Sequence, residues 1–290
     1  MSDTNLRQSV ADARATGVLS ELNLEMTKDN KGQDIIRGNV VIKTDETNSV
    51  SYRVYTNRLT TKGEKNPAWD GLVTVMNTFN SIAKVGEQNA TKVHVNGQYA
   101  PSTFMGKDGS LREGVPQYRA SFFSEVRNLD NYKPHAELTL EIFIRALTRE
   151  VARNGEETGR VLVKGWVSLY NGLEPVTLVA PKDIAETIMN TFEVGQTAMF
   201  YADIVNSAYT VEIPVAIGKP RTETRFVNEL LISGATMPYN NDSAKEKDAF
   251  DAEAIKNAVN VYNERVNDMR SGTGQKEVKK AAPAAQVPLW

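Results

Sequence analysis

Aromatic and basic side chains alternate along one predicted strand, residues 161–170, which has the sequence VLVKGWVSLY. Because side chains on a strand point alternately to opposite faces, Lys164, Trp166 and Tyr170 share one face, and the valines of the other face form an apolar core surface. Nucleobases stack on aromatic rings without regard to sequence, while nearby cations hold the phosphates. The pattern therefore indicates a stacking platform for single-stranded nucleic acid. The alternative for Trp166 is packing under a loop or against a second domain.

A second cluster of basic and aromatic residues lies earlier, on two predicted strands and the loop that follows them. Alignment of the two regions through Gly38 and Gly165 places Arg37 in the position of Lys164. The outward faces and the loop then carry Arg37, Lys43, Arg53, Tyr55, Arg58 and Lys62. A charged strand face is often only a solvated surface. This cluster is the densest of its kind in the chain, so we interpret it as part of a phosphate-binding groove.

Two further candidates lie late in the chain, where Arg221 and Arg225 form a looser basic stretch. No aromatic residue alternates with them, so the pattern there offers phosphate contacts without a stacking partner. Trp69, at the start of a predicted helix, is interpreted as a structural residue.

Motifs for catalysis are not visible in the sequence. Cysteine is absent, which excludes disulfides, thiolate zinc sites and cysteine nucleophiles, and the two histidines, His94 and His135, lie in different predicted segments. The motifs of phosphate loops, dinucleotide-binding turns, zinc proteases and serine hydrolases are missing as well. We therefore predict that the protein is not an enzyme, has no catalytic residues and uses neither a metal nor a cofactor.

Length and charge limit the remaining choices. A chain of 290 residues is long enough for about two domains. The formal net charge is −2, so nucleic-acid binding would depend on local basic patches and not on the overall charge. The absence of cysteine, of an apolar leader segment and of a run of about 18 apolar residues predicts a cytoplasmic protein without membrane contact.

The tetrapeptide Met-Asn-Thr-Phe occurs twice, at residues 76–79 and 189–192. Each copy lies in a stretch with helical spacing of apolar residues, which follows three strand-like segments and precedes further strands. This order, without crossover helices, fits the OB fold, a five-stranded Greek-key barrel. We therefore predict a mostly β protein with two OB-fold domains, each with a helix between strands 3 and 4, plus a C-terminal helix and a flexible tail. The repeated Met and Phe would pack into the barrel bottoms.

The predicted segments are a flexible arm at 1–15, OB-like domains at 16–127 and 136–238 with a linker at 128–135, a C-terminal helix at 239–270 and a disordered tail at 271–290. A possible capping box lies at residues 243–246, and a heptad-like apolar stripe follows it. That stripe can dock on the protein's own barrels, mediate self-association or fill a partner's groove. The tail ends in Pro288, Leu289 and Trp290, an apolar tip with nothing obvious to bury it.

The chain resembles the single-stranded DNA-binding proteins of tailed bacteriophages that carry tandem OB-like folds. The resemblance covers roughly residues 16–235 and rests on the segments GNVVIKTDETNSVSYRVYTNRL, GLVTVMNTFNSIAKVGE and ETGRVLVKGWVSLYNGLEPVTLVA. It implies sequence-tolerant binding of single-stranded DNA during phage replication or recombination, in the infected host cell. It also implies that the tail recruits replication or recombination proteins, although lysines precede the tip where the bacterial pattern has acids.

Other functions remain open at this stage. A non-catalytic scaffold of the replisome or virion would agree with the near-neutral charge and would use the barrels to hold proteins. Single-stranded RNA binding would use the same surface chemistry, since no feature of the sequence addresses the 2′-hydroxyl. An accessory protein or small nuclease would need an acidic cluster at metal-ligand spacing, and the sequence has none.

Overall fold

Two five-stranded barrels share one continuous ten-stranded sheet, and a two-stranded hairpin and a C-terminal helix pack against them. The computed structural model describes residues 6–213, 215, 217–218 and 220–272. The strands are β1 Ala11–Lys28, β2 Asp34–Lys43, β3 Ser49–Asn57, β4 Lys92–Tyr99, β5 Ser102–Met105, β6 Leu111–Val115, β7 Tyr118–Glu125, β8 His135–Val151, β9 Glu157–Leu169, β10 Gly172–Ala180, β11 Thr197–Ile213 and β12 Arg221–Ala235. The α-helices are α1 Pro67–Thr78, α2 Ile82–Val85, α3 Lys182–Thr191 and α4 Ala252–Ser271. Short 3-10 helices lie at Glu87–Asn89, Tyr239–Asn241 and Glu246–Asp248.

Each barrel closes in the strand order of an OB fold. Barrel 1 has the order β1-β2-β3-β7-β4, with β4 paired again to β1, and barrel 2 has the order β8-β9-β10-β12-β11, with β11 paired again to β8. The third and fifth strands of each barrel run parallel, through Tyr52 and Tyr118 in barrel 1 and through Val179 and Leu231 in barrel 2. In both barrels a helix follows the third strand. The prediction of two OB folds is therefore confirmed.

The repeated tetrapeptide lies at the end of corresponding helices, α1 and α3. The residues that precede the two copies, Val75 and Ile188, are buried in the barrel core. The phenylalanine after each helix, Phe79 or Phe192, donates its backbone N–H to the carbonyl of Val75 or Ile188 at 3.1 Å. The repeat thus supplies apolar packing and also closes the last helical turn. Trp69, in the first turn of α1, is buried, in agreement with a structural role.

Strand β1 begins much earlier than the sequence analysis predicted. The prediction of a loose arm over residues 1–15 is wrong for residues 11–15, because they form the first part of β1. In that part Ala11, Ala13 and Ala15 are buried, while the residues between them are more exposed. Alternation with alanine is a strand pattern, but it lacks the large apolar residues that usually indicate one. On one edge this part of β1 pairs with β4, and on the other it pairs with β8 of barrel 2.

Side-chain hydrogen bonds at two other places add to the contact between the barrels. The turn between β2 and β3 places Asn48 against β11, where its side chain donates to the carbonyl of Ile204 at 3.1 Å and accepts from the amide of Asn206 at 2.6 Å. The β5–β6 hairpin, inserted between β4 and β7, reaches β10, and the Thr103 hydroxyl donates to the Glu174 carboxylate at 2.7 Å. The two barrels therefore form one packed body.

The C-terminal helix docks on the protein itself, which was one of the three predicted alternatives. It begins at Ala252 and not near residue 239, because Asp251 is its N-cap and accepts a hydrogen bond from the Ala254 amide at 2.7 Å. The predicted capping box at 243–246 instead lies in a turn region that leads to the second of the late 3-10 helices. Residues 273–290, with the predicted tail tip at Pro288, Leu289 and Trp290, lie outside the described residues. Within the described residues, no helix is long and apolar enough to cross a membrane.

We expect Ile188→Ala to lower the free energy of unfolding by about 2–5 kcal/mol, since it leaves a cavity beneath α3. Asn190→Ala, an exposed position two residues along the same helix, should change it by less than about 0.5 kcal/mol. Urea unfolding followed by circular dichroism would measure both. Equal effects of the two substitutions would contradict the packing of Ile188 in the core of barrel 2.

Candidate nucleic-acid interface

The outward side of β2, β3 and β7 carries a band of basic, amide and aromatic side chains, here called the barrel-1 face. It consists of Arg37, Asn39, Arg53, Tyr55 and Arg119. Across the β2–β3 ladder Arg37 lies opposite Tyr55, and Asn39 lies opposite Arg53. Across β3 and β7, Arg53 lies opposite Arg119. Because paired residues of neighbouring strands point to the same side, these five side chains form one surface.

Tyr55 is the aromatic centre of this surface. Its side chain is 62% exposed, so much of the ring is accessible for stacking. Tyr52 and Val54 of the same strand point into the core and are buried, so the backbone that carries Tyr55 is fixed by core packing. The prediction that Arg37, Arg53 and Tyr55 share an outward face therefore agrees with their positions.

Gly38 allows β1 and β2 to approach closely beside this face. Its φ is +145°, and a Cβ atom added there would lie 1.9 Å from the carbonyl oxygen of Asn23. A larger residue would push the two strands apart and displace its neighbours Arg37 and Asn39. The close approach of β1 and β2 thus explains why barrel 1 has glycine at position 38, the position used to align the two regions in the sequence.

Several predicted cations are held in ion pairs at the surface. Arg37 lies 2.8 Å from the Glu25 carboxylate, Arg58 lies 3.1 Å from Asp34, and Lys43 lies 2.8 Å from Glu87. Hydrogen bonds from Lys28 and then Arg58 lower the pKa of Asp34, so this carboxylate is ionised at neutral pH. Surface pairs of this kind contribute little to stability because water and salt screen the charges, so a phosphate group can replace the carboxylate at small cost.

Arg53 and Arg119 differ from these paired cations. Arg53 donates to the side-chain oxygen of Gln117 at 3.1 Å, and within the described part of the chain neither arginine forms an ion pair with a carboxylate. Sequence reasoning missed Arg119, because the predicted strand that contains it could not be placed beside β3. The sequence did contain a signal for Arg119, because an apolar ring at Tyr118 followed by a cation is the alternation of a strand with one buried and one exposed face.

Two other predicted cations lie near the ends of the barrel-1 strands. Lys62 is exposed in the turn after β3, close to Arg58 in sequence. Lys43 lies six residues along β2 from Arg37, which corresponds to roughly 20 Å along an extended strand. The structure therefore places Lys43 at the opposite end of the surface from the Arg37–Tyr55 pair.

The corresponding face of barrel 2 is covered by α4. Trp166 is 8% exposed, and its ring packs edge-on against Tyr262 of α4, with ring centroids 5.1 Å apart. The Arg145 guanidinium lies 4.8 Å from the Trp166 ring centroid. The prediction that Trp166 stacks on bases is therefore wrong for this arrangement, since its ring is part of the apolar contact between barrel 2 and the helix. The predicted alternative was that Trp166 packs beneath another segment of the protein. The structure agrees with that alternative, and the segment is the helix α4.

The contact between α4 and the barrels contains polar anchors as well as apolar ones. The Tyr262 hydroxyl donates to the Glu113 carboxylate at 2.7 Å, and Arg265 donates to Glu174 at 2.8 Å. Burial raises the pKa of Tyr262 to about 12, so it remains a neutral donor at physiological pH. Glu113 belongs to the β5–β6 hairpin of barrel 1 and Glu174 belongs to barrel 2. The helix therefore joins the two barrels as well as covering one of them.

The three residues of the predicted barrel-2 platform are not brought together. Lys164 is half-buried on β9, opposite Ala146 and Thr177. Tyr170 lies in the turn between β9 and β10, and its side chain is 87% exposed. With Trp166 buried between them, Lys164 and Tyr170 do not form one stacking surface.

Arg221 and Arg225 lie on a mostly exposed hairpin, here called the arm, which is formed by β11 from Ser207 and by β12 up to Val227. Arg225 lies directly opposite Tyr209, and Arg221 lies opposite Ile213. Phe226, on the other side of the arm, is 72% exposed. Along β12 no aromatic residue alternates with these arginines on their own side, as predicted, but across the ladder β11 supplies Tyr209 opposite Arg225.

Within the described part of the chain, residues that could hold a metal ion are not clustered. Within the described ranges, no group of three or more His, Asp or Glu side chains has suitable positions. The surface offers arginines for phosphates and exposed rings for bases, which is the chemistry of a binding surface.

Comparisons with known proteins identify a family and similar folds. A family model described as YorF matches residues 11–272. A crystal structure of a deletion mutant of the single-stranded DNA binding protein from Thermus aquaticus aligns with a TM-score of 0.48 and 13% identity, over 80% of this chain and 96% of that chain. The wild-type protein of the same organism aligns with a TM-score of 0.46 and 12% identity, over 80% and 94%. No curated protein sequence matches the chain.

We predict different effects for the two aromatic residues of the β9 segment. Trp166→Ala should lower the free energy of unfolding by about 3–5 kcal/mol, because it removes the ring on which α4 packs. Tyr170→Ala should change it by less than about 0.5 kcal/mol, because the ring is exposed. Urea unfolding measures both, and limited proteolysis should release α4 faster in the Trp166 variant. A Trp166→Ala variant as stable as the wild type would contradict the docking of α4 described here.

Proposed function

We propose that this chain, which belongs to the YorF family, binds single-stranded DNA along the barrel-1 face. The observation that carries the proposal is the exposed ring of Tyr55, set between Arg37 and Arg53 on the second and third strands of an OB fold. The face of these strands is where OB folds bind oligonucleotides. A ring flanked by cations suits a strand whose bases stack while its phosphates contact arginine.

The distribution of charge supports binding at this face in particular. The whole chain has a formal net charge of −2, so overall attraction of a polyanion is weak. Arg53 and Arg119, neighbours across β3 and β7, are without carboxylate partners within the described residues, and they add uncompensated positive charge on the β7 side of the face. Local charge of this kind attracts phosphates even when the total is near zero.

The arm is a second element of the proposed binding surface. Tyr209 and Arg225 repeat on one side of the hairpin the pairing of ring and guanidinium found at Tyr55 and Arg37. The arm is built from the fourth and fifth strands of barrel 2, and the loop between these strands is another region that OB folds use to bind oligonucleotides. Arg221 lies further along the same side of β12, beyond Glu223, whose carboxylate is 3.9 Å from Arg225.

The proposed biological role follows from the sequence resemblance. The protein would hold single strands without regard to sequence during replication or recombination of a tailed phage, in the cytoplasm of the infected bacterium. Its C-terminal tip, residues 288–290, would contact replication or recombination proteins. Single-stranded RNA remains the nearest alternative ligand, because stacking and phosphate contacts do not distinguish the two.

One observation favours a second candidate function, that of a protein-binding scaffold. The ligand face of barrel 2 holds an amphipathic helix, α4, through Phe143, Trp166 and Leu173. An OB barrel of this chain is thus suited to binding a helix. Under this alternative the barrel-1 face would bind a protein partner and would have no affinity for oligonucleotides.

We expect fluorescence anisotropy to detect salt-sensitive binding of labelled oligo-dT, in preference to duplex DNA. Tyr55→Ala should weaken this binding by about 5- to 150-fold, because stacking of one base contributes about 1–3 kcal/mol. Matched single-stranded RNA in the same assay identifies the preferred nucleic acid.

Tyr55→Phe is the matched control, because it keeps the ring and should retain most of the affinity. If Tyr55→Ala bound oligo-dT as tightly as the wild type, the barrel-1 face would not be the binding site. If the wild-type protein did not bind oligo-dT at low salt, the scaffold alternative would be favoured.

A second experiment tests the arginines through the salt dependence of binding. Each phosphate contact that is lost should reduce the slope of log K against log salt concentration by about 0.7 for a single strand. Arg53→Ala should show this change if the barrel-1 face binds, and Arg225→Ala should show it if the arm binds. Arg153→Ala, in the exposed turn between β8 and β9, is the control and should leave the slope unchanged. An unchanged slope for Arg53→Ala would contradict a phosphate contact there.

A further inference from the structure

A cleft of about 530 Å³ lies between the two barrels, beside the barrel-1 face. Its walls include the N-terminal residues 8–12, the segment 98–103 that leads from β4 into β5, Arg119 of β7 and residues 169–171 of the turn between β9 and β10. Its volume is within the range of small-molecule sites, about 300–1,000 Å³. Of the residues that line the cleft, only Arg119 takes part in the function proposed above.

The barrel-1 face leads directly into this cleft. Arg119 lies opposite Arg53 across β3 and β7, and on its other edge it lies opposite Gln98 of β4. Gln98 and Arg119 both line the cleft, whereas Arg53 belongs to the open face. A row of three paired residues, Arg53, Arg119 and Gln98, therefore runs from the face into the cleft. Arg119 stands at the boundary, where a phosphate passing from one region to the other would be neutralised.

The chemistry of the cleft suits a nucleobase better than a phosphate. The exposed ring of Tyr170 lines it, and the amides of Gln98 and Asn171 can both donate to and accept from base edges. The Asp12 carboxylate can accept from an exocyclic amine, but it would repel a phosphate.

The other cation that lines the cleft, Arg265, is poorly placed to bind a phosphate. The Arg265 guanidinium donates to Glu174 at 2.8 Å, so its charge is largely matched by that carboxylate. The cleft interior is therefore polar and aromatic, with its uncompensated positive charge at the entrance.

The cleft also gives a bound nucleic-acid strand an open path where the face of barrel 2 is covered by α4. The face of barrel 2 that corresponds to the barrel-1 face is closed by α4, which buries Trp166. A strand that extends past Arg119 thus meets an open cleft and a blocked barrel face.

We propose that a single strand bound on the barrel-1 face continues past Arg119 into this cleft and places a nucleobase against Tyr170. The inference rests on the proposed function. It assigns the interbarrel cleft as a second binding subsite and makes Tyr170 a contact of the downstream part of the strand. Tyr170 thus regains the stacking role predicted from sequence, but in the cleft and without Trp166.

The length of the oligonucleotide separates the two subsites. An OB fold covers about 4–16 nucleotides, so an oligo-dT of about 6 nucleotides can be held by the barrel-1 face alone, whereas one of about 24 also reaches the cleft. Tyr170→Ala should weaken binding of the long oligonucleotide by about five-fold or more and leave the short one unchanged. Tyr55→Ala should weaken both. Tyr201→Ala, which removes a 45% exposed ring of β11 that does not line the cleft, should weaken neither.

Crosslinking gives a second readout that does not depend on the affinity of the short oligonucleotide. A 24-nucleotide strand with one bromouracil at successive positions should crosslink to Tyr55 and Tyr170 from different positions, with the Tyr170 positions confined to one side. If Tyr170→Ala left the long oligonucleotide unaffected while Tyr55→Ala weakened it, the cleft proposal would fail and the proposed function would stand. Equal weakening of both lengths by Tyr170→Ala would also overturn the path described here. Failure of the wild-type protein to bind either length would overturn the proposed function itself.

Discussion

Pairing of β1 with three other strands is the constraint on which the two-barrel arrangement depends. Over residues 12–16, β1 is bonded to β4 on one edge and to β8 on the other, and beyond Val18 it pairs with β2. A strand that closes one barrel and joins a second needs small side chains where the two cores meet, and Ala13 and Ala15 are 0% and 1% exposed. Gly17 marks the change of partner, because a Cβ there would lie 2.3 Å from the carbonyl oxygen of Lys43.

Because the sheet is continuous, the two barrels cannot rotate freely relative to each other. Asn48 and the β5–β6 hairpin add contacts at two further places, and α4 ties Glu113 of barrel 1 to the face of barrel 2. The relative position of the barrel-1 face and of Tyr170 is therefore set by the fold. A cleft between independently moving domains would not hold a strand in a defined path, whereas this cleft has walls from both barrels in one packed body.

The fold was more predictable from sequence than the site. The repeated tetrapeptide and the strand, helix and strand order identified both barrels, since core packing imposes regular spacing on Val75, Ile188 and their neighbours. Strand alternation also identified the outward faces correctly. It could not identify what covers a face, because Trp166 is buried by a helix about 90 residues later in the chain and not by its sequence neighbours. Arg119 was missed for a related reason, since its proximity to Arg53 depends on a parallel pairing between strands far apart in sequence.

The two barrels thus illustrate how one fold can carry two kinds of surface. In barrel 2 an apolar patch, Phe143, Trp166 and Leu173, gains more from packing on α4 than from exposure to water, so the helix covers it. In barrel 1 the corresponding strands carry Arg37, Arg53 and Tyr55 at the outward positions, so this face is charged and polar where that of barrel 2 is apolar. The ion pair of Arg37 with Glu25 balances one charge of this face until a stronger anion competes for the guanidinium, whereas Arg53 and Arg119 have no carboxylate partner within the described residues. The difference between an occupied face and an open one therefore follows from a few outward residues, and not from the topology that the barrels share.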